Sequence, residues 1–170
     1  MNKKINEIMV SGIIAGVYIL LTVFNPFSYE AIQFRISEIL MLLIFYNKKY
    51  LTPIAIGCFI SNLLGPLGLI DAISGTCATL IAGVCIYNSK KLWLCIIYPT
   101  ITNAIIIGFI LYYFLELPFI SSMLLVGLGE LVVLIIGLII FSSLNTNNIL
   151  KDKLINYFGK EPLEKDEEFL

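Results

Sequence analysis

Long apolar stretches punctuated by short polar breaks dominate the chain. Ile8–Phe24 runs without a charge and ends at the breaker pair Asn25-Pro26. A second apolar stretch, Phe34–Tyr46, gives only about 20 Å of α-helix, short of a full bilayer crossing. The preceding segment Phe27–Gln33 is therefore expected to dip inward as non-helical chain, which hydrocarbon depth allows only where protein or a wet cavity satisfies the backbone. Further spans follow at about Leu51–Leu64, with Pro53 in the first turn, then Ile70–Tyr87, Leu92–Phe114 and Phe119–Leu144. Gly65-Pro66-Leu67-Gly68 forms a turn between two of them, and Pro99 is placed to kink the fifth span. No internal repeat or inverted half is visible, which argues against an ordinary secondary transporter. The first stretch lacks an A-x-A cleavage site, so it reads as a retained helix rather than a signal peptide.

Composition agrees with the pattern. Of 170 residues, 59% are hydrophobic and only 14% charged, with a mean hydropathy of +0.94. A soluble domain carries about a quarter charged residues, so this chain has too little polar surface to face water. The net charge of −1 conceals a sorting of signs. Every lysine lies at Lys3–Lys4, Lys48–Lys49, Lys90–Lys91 or in the tail from Lys151 onward. By the positive-inside rule these places read as cytoplasmic, whereas the lysine-free loops Asn25–Glu30, Leu64–Asp71 and Glu116–Pro118 read as external. The expectation is an all-α integral membrane protein: a six-transmembrane-helix bundle, both termini cytoplasmic, multi-pass in the cell membrane. Residues 1–144 form the bundle, and 145–170 form a cytoplasmic acidic tail, partly disordered.

Four cysteines without CxxC spacing, and no histidine, leave few ligands for a metal site; no metal, cofactor or nucleic-acid partner is expected. Cys58, Cys77 and Cys85 lie within spans and Cys95 near the cytoplasmic boundary, where cysteine serves as a small apolar residue.

Ionisable residues in spans cost about 2.5–3.5 kcal/mol each at a helix centre, so each needs a reason. Glu30 and Glu116 fall at the external surface, Arg35 and Glu38 at the outer part of the second span, Asp71 at the outer start of the fourth, and Glu130 near the middle of the sixth. Asn62, Thr76 and Asn103 join them from outer or central positions. The inner half has no comparable set, so the pattern describes an outward-facing ligand pocket rather than a through-going pore. Structural alternatives exist for several. Arg35 and Glu38 are spaced i, i+3 and can pair with each other. Asp71 opens a helix and can act as a cap, and Asn103 can bond a neighbouring helix. Glu130 lies deepest, with no basic residue within a helical turn. Acids outnumber the single arginine, a balance that suits a cationic or donor-rich ligand. In the first span, Ser11/Ala15 and Gly12/Gly16 form two small-xxx-small pairs that permit another helix to approach closely.

The run Ala31-Ile32-Gln33-Phe34-Arg35-Ile36-Ser37-Glu38-Ile39-Leu40 resembles the Q-F-R-x-x-E-x-L signature of queuosine-precursor (QueT-type) substrate-binding subunits, the S components of energy-coupling factor (ECF) transporters. The likeness continues through Ile56–Leu63, Asp71, Gly75-Thr76, Ala78–Leu80, Asn103–Gly108 and Gly127–Glu130, covering most of residues 8–144. It implies a six-helix subunit that binds a 7-deazaguanine such as 7-aminomethyl-7-deazaguanine or queuine. It also implies separate partner chains: a transmembrane coupling protein, met by Ser11, Gly12, Ala15 and Gly16, and two ATPase subunits. No Walker motif is present here, and the chain is read as not an enzyme. On this likeness the ligand-binding set is Gln33, Phe34, Arg35, Glu38, Asn62, Asp71, Thr76, Tyr98, Asn103 and Glu130. Glu130 or Glu38 would accept the N1–H and exocyclic NH₂ of the base, and Asp71 a cationic aminomethyl group. Gln33, Asn62 or Asn103 would donate to the base carbonyl, and Phe34 or Tyr98 would stack on the ring. Rival readings are an S component for another vitamin, a channel, and a small intramembrane enzyme with Glu38 and Glu130 as acid and base.

Overall fold

The computed structural model describes residues 3–30, 32–146 and 148–156. Ala31, which opens the signature run, and the tail beyond Asn156 lie outside the described residues. The described chain is helical, without strands: α1 (Lys3–Val23), α2 (Leu51–Leu63), α3 (Leu69–Asn88), α4 (Ile97–Leu115), α5 (Phe119–Asn145) and a short α6 (Asn148–Asn156). Four stretches are long and apolar enough to cross a membrane: Lys4–Val23, Leu69–Asn88, Leu92–Leu115 and Phe119–Leu144. Ile36–Phe45 and α2 are shorter apolar helices.

Two elements depart from expectation. The second apolar stretch is a 3₁₀ helix, Ile36–Phe45, not an α-helix. Ten residues at about 2.0 Å each reach roughly 20 Å, against about 15 Å if α-helical. Tighter winding thus recovers length that the short sequence lacks. A 3₁₀ run of this length is uncommon on propensity alone, and tertiary packing supplies the difference. The segment packs against α1, α2, α3 and α5. Ser37, Glu38 and Met41–Phe45 are buried, as an element apolar on every side must be. The fifth apolar stretch likewise begins as 3₁₀ (Leu92–Ile96) before α4 takes over. Pro99 therefore sits in the first turn of α4, where its missing N–H removes no helical bond, rather than kinking a helix interior.

Between α1 and the long 3₁₀ helix the chain is irregular apart from one 3₁₀ turn, Pro26–Tyr29. Asn25 holds this stretch from both sides. Its Oδ1 accepts from the Phe27 N–H at 3.1 Å, and its Nδ2 donates to the Phe34 carbonyl at 2.5 Å. The Phe34 N–H donates to the Phe27 carbonyl at 3.1 Å. The Tyr29 hydroxyl donates to the Ser61 carbonyl at 2.7 Å, fastening the loop over the end of α2. Ser28 and Gln33 are buried while Phe27 stays exposed, so the stretch does turn part of itself inward.

Two ends of the bundle differ in character. At the end bearing Lys48, Lys49, Lys90 and Lys91 the interior is apolar: Met41–Tyr46, Tyr50, Ile54, Ile86, Leu92, Cys95 and Phe141 form one cluster, with Tyr98, Leu144 and Leu154 against it. α6 closes this end, its carbonyls at Leu154 and Ile155 accepting from the Tyr50 hydroxyl and the Asn47 amide, each at 3.1 Å. Arg35, Glu38 and Asp71, buried ionisable residues, lie toward the opposite end, where the lysine-free connections are.

Gly129 in α5 shows how closely the irregular stretch is seated. A Cβ built there would meet the Gln33 backbone oxygen at 2.8 Å and its carbonyl carbon at 3.0 Å. Gly129→Ala is therefore expected to destabilise the protein by about 1–3 kcal/mol, because backbone must shift to admit the methyl. Gly12→Ala makes the same change where nothing lies within 4 Å and should be neutral or slightly stabilising. Thermal unfolding of both variants in detergent checks the contrast; equal melting temperatures would remove the close approach.

Candidate functional site

The signature run delivers its polar residues from an unusual place, the junction of irregular chain and 3₁₀ helix. Arg35 is the residue before the 3₁₀ helix begins, and Ser37 and Glu38 fall in its first turn. All three are buried, as is Gln33. Arg35 Nη2 donates to Gln33 Oε1 at 3.3 Å, and its Nε is buried without a partner. Arg35 and Glu38 interact electrostatically, but among the described residues no hydrogen bond joins them. The Glu38 carboxylate is taken instead by α1: the Tyr18 hydroxyl donates to Oε1 at 2.5 Å, leaving Oε2 buried and unpartnered.

Glu130, in the middle of α5, is 2% exposed and accepts from Asn103 Nδ2 of α4 at 3.0 Å. The structural alternative for Asn103, a bond to a neighbouring helix, thus exists, and its acceptor is the acid itself. Arg35 lies within electrostatic reach of Glu38, Glu130 and Asp71, and the two glutamates sense each other. Asp71 stands in the first turn of α3, where the helix dipole favours an anion, but the N-cap position belongs to Gly68. A positive φ of 55° suits glycine at that turn.

The third arm comes from α2 and α3. Asn62 Nδ2 and Thr79 Oγ1 both donate to Cys58 Sγ, at 3.2 and 3.3 Å, and Cys58 in turn lies in the field of Glu38 and Arg35. Gly75 on α3 leaves room for the Asn62 side chain. Asn62 Oδ1 and Thr76 Oγ1 are buried without partners.

Gln33, Arg35, Glu38, Asn62, Asp71, Asn103 and Glu130 therefore converge, with Thr76 next in sequence to the Gly75 that Asn62 packs against. Glu30 and Glu116 are exposed and outside the cluster. Glu116 ends α4 in a left-handed conformation, φ 56°. Phe34 is half-buried, its backbone engaged in holding the loop. Tyr98 packs against the apolar cluster at the other end. Sequence reasoning passed over Tyr18, Cys58 and Thr79. The available signal for Tyr18 was a hydroxyl in mid-span one turn before Thr22, on a helix otherwise apolar between Ile13 and Val23. The small residues of α1 divide between two faces. A Cβ on Gly57 of α2 would touch Tyr18 and the Ala15 carbonyl, so the Ser11/Ala15/Tyr18/Thr22 stripe faces the protein, whereas Gly12 and Gly16 have nothing within 4 Å.

Four unmet atoms, Glu38 Oε2, Arg35 Nε, Asn62 Oδ1 and Thr76 Oγ1, stand on elements meeting at this one end. Each such atom costs about 1–3 kcal/mol when left dry, so together they rival a protein's net stability. An apolar helical bundle with four stretches able to cross a bilayer is a multi-pass membrane protein, and charges kept in the interior of such a bundle generally mark a functional site. The chain belongs to the QueT transporter family, whose model matches residues 8–146. It is similar to the queuosine precursor transporter QueT of Lactococcus lactis subsp. cremoris (strain MG1363), with 32% identity over 160 residues, covering 84% of this chain and 94% of that protein. No solved structure matches significantly.

Arg35 is the single cation among the described cluster residues Glu38, Glu130 and Asp71. Arg35→Met should cost about 3–5 kcal/mol by leaving carboxylates uncompensated. Adding Glu130→Gln to that variant should recover part of the loss, since one fewer charge then needs a partner. Melting temperatures of the single and double variants decide this; a double variant no more stable than Arg35→Met would mean the guanidinium does not compensate Glu130.

Proposed function

We propose that this chain captures a queuosine precursor, a 7-deazaguanine such as 7-aminomethyl-7-deazaguanine or queuine, as the substrate-binding subunit of an ECF-type importer in a bacterial plasma membrane. In this reading the six apolar stretches cross the bilayer with both termini in the cytoplasm, so the lysine-free end and its polar cluster open outward. The apolar interior at the lysine end then closes the path, which fits capture rather than a channel. No catalytic step is assigned to the chain.

The observation that carries the reading is the set of buried, unmet donors and acceptors around Arg35 and Glu38. A deazaguanine offers complementary groups: N1–H and NH₂ donors for a carboxylate, a carbonyl for donors such as Arg35 or Asn103, and in the aminomethyl form a cation for the surplus of acids. Similarity to a protein named a queuosine precursor transporter points to the same ligand. Calorimetry with purified protein and 7-aminomethyl-7-deazaguanine tests it. Glu130→Gln replaces one acceptor oxygen by a donor at the base edge, and should weaken binding by about 1–3 kcal/mol, or roughly 5- to 150-fold, with little loss of stability. Failure of the wild-type protein to bind any deazaguanine would overturn the assignment.

Energy would come from separate chains, a transmembrane coupling protein and two ATPase subunits. The open surroundings of Gly12 and Gly16 support docking of the coupling protein on that face of α1. Gly16→Leu should leave ligand affinity intact while uptake into cells falls severalfold. Normal uptake by that variant would move the docking surface elsewhere.

A further inference from the structure

α1 enters the sequence reading only as a docking helix, yet it supplies the one hydrogen bond that the described residues give to the Glu38 carboxyl group. Tyr18 is completely buried, and its hydroxyl lies 2.5 Å from Glu38 Oε1. One turn on, Thr22 Oγ1 donates to the Tyr18 carbonyl at 2.9 Å and lies 2.7 Å from Ser37 Oγ. A hydroxyl has one proton to give, so Ser37 is the donor to Thr22. Two side-chain contacts therefore join α1 to consecutive residues of the 3₁₀ helix, and only one of them touches an acid of the cluster.

A glutamate side chain has three rotatable bonds, and burial alone does not fix which oxygen faces which neighbour. The tyrosine does so. With Oε1 held by a donor on a rigid ring and the ring close against Gly57, Oε2 is the oxygen left buried without a partner, on a carboxyl group that Arg35 reaches electrostatically. We propose that Tyr18 is a positioning residue of the ligand site: it orients the Glu38 carboxylate so that Oε2 alone meets the ligand, as a one-pronged acceptor for a single N–H group. Glu130, whose Oε1 is approached by the smaller and less acidic donor Asn103, is then the acid left for the second donor of the ligand. The proposal rests on the reading of the cluster as a deazaguanine site.

The test is a double-mutant cycle on ligand affinity, measured by calorimetry with 7-aminomethyl-7-deazaguanine and the full-length protein. Tyr18→Phe keeps the ring and removes only the hydroxyl; affinity should fall about 5- to 30-fold, the loss of one well-placed hydrogen bond to a charged group. Glu38→Gln should weaken binding by itself, and the Tyr18→Phe/Glu38→Gln double variant should bind within about twofold of Glu38→Gln, because Tyr18 acts through that carboxylate. Thr22→Val removes the neighbouring contact between the same two elements and should leave affinity within about twofold of wild type. Additive losses in the cycle, unchanged affinity of Tyr18→Phe, or an equal loss in Thr22→Val would each overturn the proposal, the last by showing that α1 acts only through its seating. Binding by the wild-type protein with any of these outcomes leaves the ligand assignment standing. Absence of wild-type binding removes both.

Discussion

A guanidinium and three carboxylates buried in a bundle that faces hydrocarbon impose the constraint around which this molecule is arranged. All four are buried, and an unpaired buried charge costs several kcal/mol. Arg35 answers the constraint by standing within reach of Glu38, Glu130 and Asp71, acids contributed by the 3₁₀ helix, α5 and α3. Placing one cation among acids on three elements requires the element that carries it to lie in the middle of the bundle. The Ile36–Phe45 helix does so, with neighbours on four sides. Its tight winding follows from that position, because ten residues must cover the depth that flanking helices cover with many more.

The remaining packing follows from the same demand. Asn25 stitches irregular backbone that would otherwise be unsatisfied at the entrance to the 3₁₀ helix. Tyr18 and Asn103 each give one neutral hydrogen bond to one glutamate. At the far end the described interior holds no buried charge and is filled mainly by aliphatic and aromatic side chains that α6 covers.

Much of this was readable from local pattern. Apolar runs located the helical elements, and four of them are long and apolar enough to cross a membrane, as a membrane-facing helix must be apolar along its whole length. Arg35, Glu38, Asp71 and Glu130 stood out because charges in such runs are expensive, and they do converge. What pattern could not give was partner choice. Arg35 and Glu38 at i, i+3 read as a pair, but Tyr18, twenty positions away, takes the carboxylate, and only the path of the chain brings it there. Helix type also escaped, because Ile39–Phe45 is apolar at every position and carries no periodicity to distinguish 3.0 from 3.6 residues per turn. Ser11/Ala15 and Gly12/Gly16 looked equivalent by residue size; a rotation of about 100° about the helix axis separates an inward face from an open one.

Gly129 and Gln33 meet through backbone, and this divides the two positions by what inheritance can alter. The atoms of residue 33 nearest to Gly129 are its nitrogen, carbonyl carbon and oxygen, which any residue type carries. That position can exchange one side chain for another, and with it the group offered to Arg35, while the loop stays where it is. Residue 129 has no such latitude. The contact thus gives the cluster one variable corner on an invariant footing, a route by which a lineage can retune what is recognised without rebuilding the fold.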